Sequence, residues 1–215
     1  MRYLTIALTK GRLAYQTLEL LEKVGITCDE MKNKDTRKLI FTDEEHKLRF
    51  FLAKGPDVPT YVEYGAADIG IVGKDTILEE GRKLYEVLDL KLGKCRMCVA
   101  GPRNFVDDES RALRVATKFV NIARAHYESI GRDIDIIKLN GSIELAPILG
   151  LSDVIVDIVE TGTTLRENGL QAVTEFMPIS ARFIANKASY QFKHREMDEM
   201  LEKLRAALAA KEEKK

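Results

Sequence analysis

Short β-like runs alternate with helical patterns along the whole of this 215-residue chain. That alternation restricts the fold to the α/β class, since helices interleaved with strands are buried as layers on a sheet. Residues 4–8 read as a strand and 13–24 as a helix, with Leu13, Thr17, Leu20, Leu21 and Val24 on one stripe and Gly25 as the stop. Strands at 38–42 and 48–53 are expected to pair across the polar turn 43–46, followed by a helix at 59–64 and a buried strand at 68–72. A helix at 74–80 precedes strands at 85–92, 96–100 and 113–117. Next come a helix at 119–130, a strand at 134–139, a short helix at 143–149 and a strand beginning at 153. Strands at 172–177 and 181–184 lead into one long terminal helix, 189–210, whose apolar face carries Phe192, Met197, Leu201, Leu204 and Leu208. Such a helix is expected to pack on its own lobe, with a partner subunit as the alternative, and residues 211–215 form a solvated tail. The order suits two α/β lobes with a site in the cleft between them.

Lys+Arg and Asp+Glu both total 34, so no net field draws in a polyanion, and nucleic acid is not expected as the main partner. No stretch approaches the ~20 apolar residues of a membrane span. The short apolar run after Met1 is broken by Lys10 and Arg12, unlike a signal peptide, so a cytoplasmic location is expected. Cys28, Cys95 and Cys98 are an odd number, which does not suit a disulfide framework. Cys95 and Cys98 have half-site spacing, yet residues three apart on a strand face opposite ways and cannot share a metal. His46, His126 and His194 are scattered, reading as a turn residue and two helix-surface positions.

The most specific stretch is Asp153-Val-Ile-Val-Asp-Ile-Val-Glu-Thr-Gly-Thr-Thr-Leu165. An apolar strand ends in acids, and a Thr/Gly bend runs into a helix. Backbone N–H groups in such a bend make an anion-binding concavity, which the helix dipole reinforces. Thr161, Thr163 and Thr164 add hydroxyl donors, and Gly162 permits close approach of the main chain. Asp157 and Glu160 would repel a bare phosphate, but they suit a ligand with ribose hydroxyls or Mg²⁺ bridged to pyrophosphate. Asp153, nearer the strand start, reads as a turn residue. Ser142 in Asn140-Gly-Ser142 reads as an N-cap, or as a ribose or pyrophosphate contact.

This stretch resembles the loop with which phosphoribosyltransferases grip phosphoribosyl pyrophosphate. With Leu-Arg-Glu-Asn-Gly-Leu170 behind it, and Ile6-Ala-Leu-Thr-Lys-Gly-Arg-Leu13 and Asp68-Ile-Gly-Ile-Val-Gly73 before it, the chain resembles the ATP phosphoribosyltransferase family over residues 2–186. The resemblance implies a two-lobed fold like the type II periplasmic binding proteins, with a first lobe, 1–90, completed by the C-terminal segment 178–215, and a second lobe, 91–177, carrying the donor loop. It also implies that N1 of ATP attacks the anomeric carbon of phosphoribosyl pyrophosphate and expels pyrophosphate, the first step of histidine biosynthesis.

Lys10-Gly-Arg12 places two cations around a glycine at a helix start, able to receive a polyphosphate; in isolation it also reads as a solvated basic turn. Arg37 resembles a basic position facing the substrate, or else a strand-edge charge. Lys10, Arg12 and Arg37, with substrate-bound Mg²⁺, are the expected stabilisers of the leaving pyrophosphate. Asp157, Glu160, Thr161, Gly162, Thr163 and Thr164 are the expected donor-binding set. The resemblance assigns Gly11, Lys54, Asp68, Gly70 and Gly73 to ATP. Several relatives have Arg where Lys54 stands, and Lys keeps the charge without the bidentate fork.

The chain ends about where long family members carry a histidine-binding domain, so the resemblance points to the short, catalytic form. That form works in a hetero-oligomer with a regulatory subunit similar to histidyl-tRNA synthetase. Two rivals predict other features. A bilobal solute binder has no need of a Thr-rich bend beside acids. A base-salvage phosphoribosyltransferase usually lacks the Lys-Gly-Arg turn and the Asp68–Gly73 segment.

Overall fold

The computed structural model of the chain describes residues 3–32 and 37–212. In chain order the elements are β1 (Leu4–Thr9), α1 (Arg12–Glu22), β2 (Ile40–Asp43), β3 (Leu48–Ala53), α2 (Val58–Glu63), β4 (Ile69–Gly73), α3 (Lys74–Glu80) and β5 (Tyr85–Asp89). Then follow β6 (Cys95–Pro102), β7 (Leu113–Thr117), α4 (Val120–Ser129), β8 (Ile134–Lys138), α5 (Leu145–Ile148), β9 (Val154–Val159), α6 (Thr163–Glu167) and β10 (Leu170–Ile179). The chain closes with β11 (Ala181–Ala185), α7 (Lys187–Phe192) and α8 (His194–Glu212). Two compact units result: Met1–Gly93 with Ser180–Lys215, and Lys94–Ile179.

Unit 1 is a six-stranded sheet in the order β2-β3-β1-β4-β11-β5. β1 runs parallel to β3 and β4, β2 forms an antiparallel hairpin with β3, and β11 returns antiparallel between β4 and β5. Strand alternation sorts the side chains onto two covered faces. Ile6, Leu8, Ile69, Ile71 and Phe183 pack under α1 and α8, while Ala7, Val72 and Ile184 meet Val58 and Val62 of α2. α2 comes close because the paired positions Ala7 and Gly70 are small. A Cβ on Gly70 would lie 2.8 Å from Val62 and 2.9 Å from Val58.

Unit 2 is a five-stranded sheet in the order β10-β6-β9-β7-β8, with β7, β8 and β9 parallel. Met97, Val99, Val115, Val154 and Val156 face α4, and Cys98, Ala100, Ala116 and Ile155 face α5 and α6. Cys95 packs on the first face and Cys98 on the second, so the two thiols point apart. No disulfide joins any of the three cysteines.

The terminal helix departs from the sequence reading. It breaks at Lys193 into α7 and α8, and the Lys193 ammonium donates to Tyr3 O (3.0 Å) and Asp68 Oδ2 (2.7 Å). Asn186 caps α7 by accepting from Ser189 N at 2.8 Å. Met197, Leu201, Leu204 and Leu208 pack into unit 1 as expected, whereas Phe192, ahead of the break, is 85 % exposed.

Ser142 is not an N-cap: its φ is +48°, and α5 starts three residues later. His126 is not a plain surface residue either. Its ring stacks on Phe176 at 3.8 Å, and burial depresses its pKa. Asp153 is more than a turn residue, because its carboxylate binds Arg111 and Arg114 and anchors the start of β9 to β7. Most of the expected tail, 213–215, lies outside the described residues.

Candidate active site

In a mostly parallel sheet, ligand-binding loops collect beyond the carboxyl ends of the strands. In unit 1 that edge holds the turns after β1, β3 and β4, and the residues leading into antiparallel β2. Lys10 N donates to Ala53 O at 2.8 Å, so the turn carrying Lys10 adjoins the one carrying Lys54. Thr9 Oγ1 donates to Ile71 O at 2.9 Å, tying the end of β1 to β4. Gly11 has φ +105°, a backbone state that needs glycine, and it starts α1 with Arg12 as the first helical residue. Lys10, Gly11 and Arg37 line one cavity of ≈ 430 Å³, with Leu18, Phe41 and Leu52 as apolar wall. It therefore offers cations together with a surface suited to a flat apolar ring.

Lys54 and Gly73 lie on the same edge of the sheet, Gly73 as the N-cap of α3. Asp68 and Gly70 are not brought there. Asp68 precedes β4 at the opposite, amino end of the strand, is 6 % exposed, and accepts from Thr5 N (2.8 Å) as well as Lys193. Gly70 is mid-strand and shut in by Val58, Val62 and Ile184. Within unit 1, Asp68 is thus engaged by hydrogen bonds and an ion pair, and Gly70 by close packing.

In unit 2 the expected donor-binding residues do converge. Asp157, Glu160, Thr161, Gly162, Thr163 and Thr164 line one cavity of ≈ 240 Å³ together with Glu144. β9 delivers Asp157 beside Ile155 and Val159 on the face covered by α5 and α6, and its Oδ1 accepts from Ile158 N at 2.8 Å. Gly162 has φ +71°, the left-handed state that turns the bend into α6. Thr161 and Thr163 face each other with Oγ1···Oγ1 at 3.1 Å, and Asn168 Nδ2 donates to Thr164 O at 2.8 Å. At five residues, α6 is too short to contribute much of a macrodipole, so anion recognition falls to N–H groups and hydroxyls.

Two residues that sequence reasoning passed over hold this bend. Arg96, paired with Glu175, donates to Glu160 O at 3.1 Å. Arg166 donates to Thr161 O at 2.9 Å and to Thr163 Oγ1 at 3.0 Å. Arg166 was within reach of the sequence, since it stands three residues after Thr163 on a helix start. Arg96 was not, being on a neighbouring strand. Among the described residues no cluster of three His, Cys, Asp or Glu side chains is arranged to hold a metal ion.

Comparison with known proteins shows the family. A family model described as HisG: ATP phosphoribosyltransferase matches residues 54–206. The ATP phosphoribosyltransferase of Lachnoclostridium phytofermentans is 63 % identical over 97 % of this chain and 98 % of its own length. That of Ruminiclostridium cellulolyticum is 55 % identical over 98 % of this chain and all of its own. Among solved structures, the ATP phosphoribosyl transferase (HisG:HisZ) complex from Thermotoga maritima contains a chain with a TM-score of 0.82 at 37 % identity, covering 96 % of this chain and 99 % of that one. The periplasmic aliphatic sulphonate binding protein SsuA of Escherichia coli, covering all of this chain and 75 % of its own, shares the fold alone, with a TM-score of 0.62 at 13 % identity.

Proposed function

The chain belongs to the ATP phosphoribosyltransferase family, and on that premise we propose how its residues divide the work of one pentosyl transfer. The family reaction joins the phosphoribosyl group of phosphoribosyl pyrophosphate to N1 of ATP and releases pyrophosphate, opening L-histidine biosynthesis. The observation that carries the assignment is the cavity in which Asp157, Glu160 and the bend Thr161–Thr164 meet. The N–H groups and hydroxyls of the bend bind the donor's 5-phosphate, remote from the reacting carbon. Asp157 and Glu160 take the ribose hydroxyls.

In unit 1, Lys10, Arg12, Arg37 and Lys54 receive the polyphosphates, with Gly11 and Gly73 giving the backbone room to approach. N1 attacks the anomeric carbon, the bond to the pyrophosphate oxygen breaks, and the departing negative charge is met by these cations. Little covalent help is required. Aligning the two substrates contributes ~7–11 kcal/mol in favourable cases. Asp157 and Glu160 are the carboxylates that would hold a substrate-borne Mg²⁺, which would supply positive charge to offset the leaving group.

A regulatory subunit similar to histidyl-tRNA synthetase is the proposed partner, by analogy with the HisG:HisZ complex of the Thermotoga neighbour. No described helix is long and apolar enough to cross a membrane, and we place the protein in the cytoplasm.

The test is incubation with phosphoribosyl pyrophosphate and ATP, and separately with free purine and pyrimidine bases, alone and with the regulatory chain. Pyrophosphate release with ATP alone supports the assignment. Release with free bases, or none in any mixture, overturns it.

A further inference from the structure

The donor pocket poses an electrostatic problem. Among the described residues lining it are three carboxylates, Glu144, Asp157 and Glu160, and no Lys or Arg. A phosphate placed there needs positive charge from just behind the lining. We propose that Arg166 is a positioning residue for the donor's 5-phosphate, locking the bend Thr161–Thr164 in its anion-accepting shape and placing a cation beneath it. This rests on the assignment of the bend to the donor.

The guanidinium spans the bend through two hydrogen bonds, one to Thr161 O and one to Thr163 Oγ1. A trans peptide points its C=O and the next N–H in opposite directions. Holding Thr161 O therefore turns the Gly162 N–H away from Arg166, and Arg96 on Glu160 O does the same for the Thr161 N–H. The second hydrogen bond sets a hydroxyl. Thr163 Oγ1 already accepts from Arg166, so its own proton is left to donate, either to Thr161 Oγ1 or to an arriving phosphate oxygen.

Gly162 is matched to this arrangement, since a Cβ there would lie 3.3 Å from Arg166 Nη1. Only a planar fork reaches both acceptors at once, so Lys in place of Arg166 would preserve charge but hold one of the two. Arg166 is exposed, so its loss should leave folding intact.

The test compares wild type with Arg166→Lys and Arg166→Ala in steady-state kinetics, varying each substrate at saturating levels of the other, with thermal melting alongside. Charge-assisted hydrogen bonds of this kind correspond to about a 10- to 100-fold rise in donor KM for Arg166→Ala, with a smaller rise for Arg166→Lys. The ATP KM stays within about twofold and the melting temperature does not move. A donor KM unchanged in both variants, or donor and ATP KM rising together, overturns the role of Arg166. Wild type inactive on phosphoribosyl pyrophosphate with ATP, both alone and with the regulatory chain, would instead overturn the donor assignment itself. Should Arg166→Ala not fold, the Lys variant alone decides, through the same split in KM.

Discussion

Replacing Gly70 by Ala separates packing from ligand contact in the Asp68–Gly73 segment. A Cβ at this position would sit 2.8 Å from Val62 Cγ2, 2.9 Å from Val58 Cγ1 and 3.0 Å from Ile184 Cγ1. All three neighbours are fully buried, so none can swing into solvent. Overfilling a packed core by one methyl costs ~1–3 kcal/mol, and the Gly→Ala gain from a stiffer unfolded chain offsets ~0.4–1 kcal/mol of it. The net loss is about 1–2 kcal/mol, or roughly 2–8 °C in Tm for a chain of this length. Differential scanning calorimetry reads the shift, and initial rates at varied ATP read the ligand side. The expected result is a lower Tm with an ATP KM within about twofold of wild type. An unchanged Tm with a clearly raised ATP KM would refute the packing account and return Gly70 to the nucleotide surface.

The remaining predictions concern the supports of both units. Hydrogen bonds from Arg111 and Arg114 hold the Asp153 carboxyl well below the usual carboxylate range. A depressed folded pKa stabilises above the unfolded value and is lost as pH falls. The Tm gap between wild type and Asp153→Asn should therefore be full at neutral pH and shrink as pH drops below about 4, and a gap constant with pH refutes it. Gly162→Ala places a Cβ at φ +71°, costing about 1–2 kcal/mol locally, and should raise the donor KM while sparing that of ATP; parallel changes in both would be contrary. Asn186 Nδ2 donates to Val62 O (2.7 Å) and Glu63 O (3.0 Å) while its Oδ1 caps α7. Asn186→Ala should lose about 1–2 kcal/mol in urea unfolding with both KM values unchanged, and an unaltered midpoint would contradict that role.

Much of the molecule was legible in its sequence, for reasons that are local. The two faces of a strand alternate, so the separation of Cys95 from Cys98 followed from counting. The helix 74–80 and the strand 113–117 were bounded correctly because Gly81 and the apolar run mark their limits within a few residues. The convergence of Asp157, Glu160 and Thr161–Thr164 on one cavity was readable for the same reason: acids, glycine and threonines are contiguous from Asp157 to Thr164, and a continuous segment carries its own geometry.

What the sequence could not settle depends on residues far apart along the chain. Asp68 looked like a ligand-facing acid until Lys193, 125 residues away, was seen to bind it. Gly70 looked like an opening for a nucleotide, but α2 and β11 close on it. Asp153 was a turn residue until two arginines about 40 positions back reached it. Each is a consequence of strand order, which brings distant segments into register. Periodicity within a segment determines which way a side chain points. Only the packed sheet decides what waits there to meet it, because burial makes an unpaired charge or an extra methyl costly and so fixes the partner.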